Sequence, residues 1–220
     1  MSKKLIIVGG EGNGGVIASC VEDNRKRFHD FEWEVVGFVN DFEKEINGYP
    51  VIGSIESIPE LLNNIDYYFI WAIHLIGRNL LTEKLFFKAN IPSERLATVI
   101  HKSAFVADNA VVEPGVFVMS NSYIGPKAQI GMGSLIMANS MIGHNTKMGY
   151  LCHCSVGSIM VGYAQLGNCS DLAVGSTLLA YVRVGNYAMA GANSLITKDI
   201  PDFEIHVGSP AKFLKRIRED

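Results

Sequence analysis

Three groups of residues have types and spacings that could carry chemistry. The first is Gly10-Glu11-Gly12-Asn13-Gly14-Gly15, which directly follows the aliphatic run Leu5-Ile6-Ile7-Val8 and contains G-x-G-x-x-G. Glycines where a strand turns into a helix let backbone N–H groups approach a diphosphate. The second is His144 and His153, nine residues apart in a stretch poor in charge. An imidazole is the side chain best placed to take a proton near neutral pH. The third is Cys152-His153-Cys154, a C-x-C that could be a metal or redox pair. His29, His101 and His206 stand at no spacing that suggests shared chemistry and are expected to be structural.

What these groups can do depends on the elements that hold them, and the chain changes character near residue 100. Residues 1–100 carry 24 charged side chains and residues 101–200 only 9. In the first part, strands alternate with helices. Leu5–Val8 is a buried strand, a helix follows the glycines to about Arg27, Glu34–Val39 is a second strand stopped by Asn40-Asp41, and Tyr67–Ile73 is a third. Asn79–Ala89 is helical and Leu96–Ile100 reads as a fourth strand. Such alternation predicts a parallel sheet covered on both faces. About 100 residues hold one mononucleotide-binding half at most, so the glycine loop is a poor candidate for a whole dinucleotide site.

The second part repeats every six residues. Val106, Val112, Val118, Ile124, Ile130, Ile136, Ile142, Met148, Cys154, Met160, Leu166, Leu172, Leu178, Val184, Ala190 and Ile196 are all apolar, and four places after each stands a residue that is usually small. With roughly half of residues apolar, the run has a chance on the order of 1 in 65,000 before choice of register. Hexads with an aliphatic wedge and a small corner are the signature of a parallel β-helix, and an ordinary β-sandwich does not require them. Three hexads, about eighteen residues, close one triangular coil, so the repeat predicts about five coils stacked to roughly 25 Å. Cys152 and Cys154 then fall on a corner and a wedge, which makes them packing residues, and no metal is expected. Ile200-Pro201 ends the repeat, and Ala211 to Arg218 reads as a short terminal helix.

The balance of 19 Lys+Arg against 22 Asp+Glu, without a long basic run, argues against nucleic acid or an anionic membrane as partner. No apolar run reaches the roughly 18 residues that span a bilayer, and Leu5–Val8 is short for a secretory signal. Four cysteines in 220 residues resemble no disulfide framework, so the expected location is cytoplasmic.

Several elements in order carry a resemblance. They are Val8-Gly9-Gly10-Glu11-Gly12-Asn13-Gly14, Gly37-Phe38-Val39-Asn40-Asp41, Tyr49-Pro50-Val51-Ile52-Gly53-Ser54, Ala72-Ile73, Ala97-Thr98-Val99-Ile100-His101, Ile142-Gly143-His144 and Val207-Gly208-Ser209-Pro210-Ala211-Lys212. With the hexads, the chain resembles the sialic acid O-acetyltransferase family of left-handed β-helix proteins, which includes N-acetyltransferases of nucleotide-linked amino sugars. The resemblance implies a Rossmann-like nucleotide-sugar-binding domain over 1–100 and a left-handed β-helix binding acetyl-CoA over 101–220. It implies acetylation of an amino sugar of the 4-amino-4,6-dideoxy type, for surface glycan synthesis.

By the same resemblance His144 is the general base. The residue after it is normally acidic; here it is Asn145, whose amide oxygen can hold the imidazole but supplies no charge. Gly162 N–H is the donor to the thioester carbonyl, and its position eighteen residues after His144 places it one coil along, about 5 Å away. His153 contacts the acetyl end, and Val174, Ala180 and Ala192 line the cofactor groove. Nine residues is half a coil, so His144 and His153 of one subunit lie on different sides and would meet only between neighbours, which predicts a homotrimer. Gly12, Asn13 and Gly14 would face the diphosphate, with Asn40 and Asp41 at the base. Three features of this site depart from the family: Glu11 must point away from the phosphates, His74, in place of a small residue, would meet the sugar nucleotide, and Asn40 replaces an acidic residue, which implies a different base. The alternatives are O-acetylation of a sugar or sialic acid, and a catalytically silent β-helix scaffold or nucleotide-binding module.

Overall fold

The computed structural model describes residues 2–217. It opens with β1 (Lys3–Val8), α1 (Glu11–Phe28), β2 (Trp33–Val39), a hairpin of β3 (Glu45–Ile46) and β4 (Tyr49–Gly53), a short α2 (Ile58–Leu61), β5 (Tyr67–Trp71) and α3 (Asn79–Ala89). The sheet order is β3-β4-β2-β1-β5, parallel except where β3 meets β4. β1 is apolar without polar alternation because both its faces are covered. Leu5 and Ile7 pack with Ile17 and Val21 of α1, while Ile6 and Val8 pack with Trp71 and with Phe86 of α3. Gly9 ends β1 at φ +151°, and a Cβ there would stand 3.0 Å from the Cβ of Ala72, so only glycine lets the ends of β1 and β5 come this close.

The expected fourth strand is split between the two parts. Leu96 bridges to Phe69, and Ala97 N–H donates to the Phe69 carbonyl at 2.7 Å. β6 (Val99–Ile100) instead pairs with Phe117–Val118. The winding therefore starts at Ile100, one hexad before Val106.

From there two-residue rungs stack eighteen apart into a left-handed parallel β-helix of three sides. The first side holds the wedges Val106, Ile124, Ile142, Met160, Leu178 and Ile196, and the second Val112, Ile130, Met148, Leu166 and Val184. The third holds Ile100, Val118, Ile136, Cys154, Leu172 and Ala190. Buried corner serines complete the packing. Ser122, Ser134 and Ser140 each donate to a carbonyl fifteen residues on, at 2.9, 3.1 and 3.0 Å. Cys152 donates to the Gly167 carbonyl at 2.9 Å in the same way, and burial pushes its thiol up to about 12. All four cysteines are free and buried.

The outward residues of the three sides differ in kind. On the first they are Phe105, Tyr123, Met141, Ile159, Thr177 and Leu195, and on the second Val111, Gln129, Lys147, Gln165 and Arg183. On the third, Phe117 and Leu135 are buried against the α/β part in the cluster that contains Leu5 and Ile7. Side three is covered, side two is polar, and side one is apolar and bare, with Phe105 and Tyr123 stacked and exposed.

The expected helix over Ala211–Arg218 is instead a strand. Glu204–Val207 extends the third side by pairing with Met189–Ala190, and Lys212–Arg216 returns antiparallel along its free edge. An open edge offers a row of unpaired backbone groups, and covering it outweighs the weak preference of so short a segment for helix. Arg218 lies outside the described residues. Among the described residues no helix is long and apolar enough to cross a membrane.

Candidate active site

The corner after the first side holds His144 and Asn145 in the turn between the Met141–Ile142 and Lys147–Met148 rungs. Asn145 takes the left-handed conformation at φ 59°, as does the third residue after every wedge from Gly115 to Asn193. Asparagine tolerates this region well. In that conformation Asn145 Oδ1 lies 3.1 Å from His144 Nδ1. The amide oxygen can only accept, so Nδ1 carries the proton and the lone pair is left on Nε2. The ring is exposed, and one coil along it covers Gly162: a Cβ at 162 would stand 2.6 Å from His144 Nε2. Gly162 N–H has no hydrogen-bond partner among the described residues. Ala180 follows on the same corner. The imidazole meets Tyr163 edge-on at 5.2 Å, and Tyr163 stacks on Tyr181 at 5.0 Å, forming an exposed aromatic ladder beside the histidine.

His153 lies elsewhere. It belongs to the third side, whereas the His144 corner joins the first and second sides and is the vertex opposite. Val174 and Ala192 occupy the corner after the third side, so the structure stacks them on each other and not with Gly162 and Ala180. His153 is buried and stacks on His74, with ring centroids 4.4 Å apart and planes at 16°. Burial, followed by the neighbouring His74, lowers the His153 pKa to about 4, so the ring is neutral. Its Nδ1 pairs with Ser155 Oγ at 3.1 Å. His74 Nε2 lies 3.1 Å from Asp171 Oδ1, within ion-pair range but out of line for a hydrogen bond. Asn79, at the start of α3, donates through Nδ2 to the other Asp171 oxygen at 3.2 Å.

Both histidines open onto a cavity of about 370 Å³ lined also by Gly10, Gly12, Asn13 and Ile73. The cavity thus joins the glycine loop, His74 and His153 within one chain. Gly14 is not part of it; a Cβ there would press on Phe38 at 3.0 Å, so this glycine serves helix–sheet packing. Glu11 lines a separate cavity with Asp23 and His101. Asn40 is committed to its own loop: Oδ1 accepts from Phe42 N–H and Glu43 N–H at 2.8 and 2.9 Å, and Nδ2 donates to Gly9 O at 3.2 Å. Asp41 is exposed and accepts from Ile55 N–H at 3.3 Å. Neither Asn40 nor Asp41 lines the cavity.

His29 closes α1 in the left-handed conformation, His101 bridges Asp23 and Ser103 at 2.9 Å each, and His206 pairs with Glu204. Sequence reasoning missed Asp171, Asn79, Tyr163 and Tyr181. Asp171 was within reach, standing eighteen residues after His153 and directly above it in the ladder.

Residues 4–88 match the family model of the PglD N-terminal domain, and residues 109–144 match that of the bacterial transferase hexapeptide, six repeats. No curated protein matches the sequence. Among solved structures, PerB from Caulobacter crescentus in complex with CoA and GDP-perosamine is 27% identical with a TM-score of 0.83, over 96% of this chain and 97% of that one. The acetyltransferase domain of PglB from Neisseria gonorrhoeae in complex with acetyl coenzyme A is 25% identical with a TM-score of 0.85, over 97% and 100%. WeeI from Acinetobacter baumannii, at 18% identity and a TM-score of 0.78, shares the fold. In its two family-model matches and its fold, the chain is similar to the hexapeptide-repeat sugar acetyltransferases.

Proposed function

We propose that this chain is an acetyl-CoA-dependent N-acetyltransferase acting on the amino group of a nucleotide-linked sugar, as a homotrimer with its three sites between prisms. The observation that carries the reading is the His144–Asn145–Gly162 corner, where an imidazole held through one nitrogen lies over a glycine with a free N–H. Even a methyl group at 162 would collide with the ring, so only glycine lets the imidazole lie this close to the backbone at 162.

Acetyl-CoA, when bound, supplies a thioester carbonyl. His144 Nε2 takes the proton of the attacking amine, and Asn145 Oδ1 keeps the ring in the tautomer that can do so. Gly162 N–H donates to the carbonyl oxygen as it gains negative charge; as that charge returns, the C–S bond breaks and CoA leaves as the thiol, taking the proton held by His144. Ala180 leaves the next coil open for the pantetheine arm. An amine is a better nucleophile than a hydroxyl and needs less from its base. An uncharged Asn145 therefore favours nitrogen as the acceptor.

The sugar nucleotide takes the cavity of the α/β part. Gly12 and Asn13 face its diphosphate at the start of α1. Because the Asn40 amide is engaged in its own loop, Asp41 is the side chain left to reach the base. Neutral His153 reaches the acetyl end from the neighbouring protomer, whose Val174 and Ala192 complete the cofactor groove. The bare apolar first side supports this assembly, since a face of that kind is stable when covered. A closed ring of prisms would bring each His144 vertex to a neighbour's His153 side. Both substrates are intracellular metabolites in type, which fits a cytoplasmic enzyme.

Thiol release from acetyl-CoA, measured against UDP-, dTDP- and GDP-linked amino sugars and hydroxyl-only sugars, tests the reading. Release with an amino acceptor, lost in His144→Ala, is the expected result. Release with hydroxyl acceptors alone, or with none, overturns it.

A further inference from the structure

Behind the proposed sugar-nucleotide cavity, His153 belongs to a constellation whose other two members, His74 and Asp171, have no part in acetyl transfer. We propose that His74, His153 and Asp171 form a binding site for a divalent transition-metal ion of the zinc, cobalt or nickel type. The three side chains come from different segments: the loop after β5, and two rungs of the third side paired His153 to Asp171. All three side chains are more than nine-tenths buried or at that limit. One ligand atom from each lies within 4.8 Å of the others.

The second observation is independent of that clustering. His74 Nε2, His153 Nε2 and Asp171 Oδ1 are all buried without a hydrogen-bond partner among the described residues. A buried polar atom without a partner is costly, so one cluster holding three of them is strained unless a common electrophile satisfies them. Two imidazoles and one carboxylate match the preference of zinc-like ions; magnesium and calcium take oxygen ligands. Asn79 fixes the other carboxylate oxygen, the outer-shell contact that metal-binding carboxylates usually have. The cavity provides an entry path and room for a fourth, exchangeable ligand.

Ligand atoms about 2.0–2.1 Å from a tetrahedral ion stand roughly 3.4 Å apart. His74 Nε2 and Asp171 Oδ1 are at 3.1 Å already, so the remaining adjustment is a turn of the stacked rings until both nitrogens point at one centre. A bound ion would staple the loop after β5 to the β-helix and raise stability by mass action.

The test uses the full chain, free of any affinity tag and stripped with a chelator, titrated with Co²⁺ and then displaced with Zn²⁺. Expected are a saturable visible d–d absorption at about one Co²⁺ per chain and a metal-dependent rise in melting temperature. Both should be lost in Asp171→Asn and in His74→Ala and kept in His144→Ala. His74 sits on a loop, so His74→Ala should fold even if Asp171→Asn does not. No saturable binding by the unmodified chain, or binding unchanged in His74→Ala, overturns the proposal. None of these readouts requires turnover, so they stand or fall separately from the acyl-transfer reading.

Discussion

Nδ1 of His144 and Oδ1 of Asn145 stand 3.1 Å apart across a single peptide unit, and the left-handed backbone of Asn145 sets that distance. The neutral amide fixes the tautomer but adds no charge to stabilise an imidazolium. Asn145→Asp keeps the backbone preference and supplies the charge, so kcat should rise, by up to about tenfold. His144→Ala should lower kcat by ~10² to 10⁴. Steady-state thiol release checks both, and an Asp variant slower than the parent would show that Asn145 does more than orient the ring.

Gly162 is matched to the imidazole above it. In Gly162→Ala the new methyl would meet Nε2 at 2.6 Å and turn the ring away. Because Gly162 is not among the residues with positive φ, alanine is otherwise tolerated. The expected outcome is a fall in kcat of about 10²-fold, with a stability change within about 1 kcal/mol. Full activity in this variant would mean that the ring and the glycine do not act together.

His153 ties stability to pH. Its pKa falls from 6.5 to about 4 in the fold, chiefly through burial. Below pH 6.5 the unfolded chain takes up a proton that the folded chain refuses, so stability is lost as pH falls from about 6.5 towards 4. The loss from this group is on the order of 3 kcal/mol. Chemical denaturation of the parent and of His153→Gln across that range isolates it: the parent should lose stability more steeply. Parallel curves would contradict the assigned burial.

The repeat was legible because each hexad satisfies one local rule, an apolar wedge and a small corner, and eighteen-residue stacking then follows without long-range information. The same arithmetic put Gly162 beside His144. What the repeat could not show is which side of the prism lies against the α/β part, since nothing in residues 1–100 marks the partner of His153. The meeting of His74 with Asp171, ninety-seven positions apart, is therefore a property of the docking. Lys212–Arg216 was misread because a short segment takes its conformation from the free edge beside it. Leu96–Ile100 was read as one strand because an apolar run does not show that its first half belongs to one sheet and its second half to another.

The account turns on His144 of one protomer serving the same reaction as His153 of its neighbour, and mixed trimers test this directly. His144→Ala and His153→Ala, each inactive alone, are unfolded together in equal amounts and refolded, and thiol release is measured. Random assembly of a three-membered ring leaves about a quarter of the interfaces with both histidines, so activity should return to roughly that share of the unmodified enzyme. A mixture as inactive as its two components would contradict a site built between protomers.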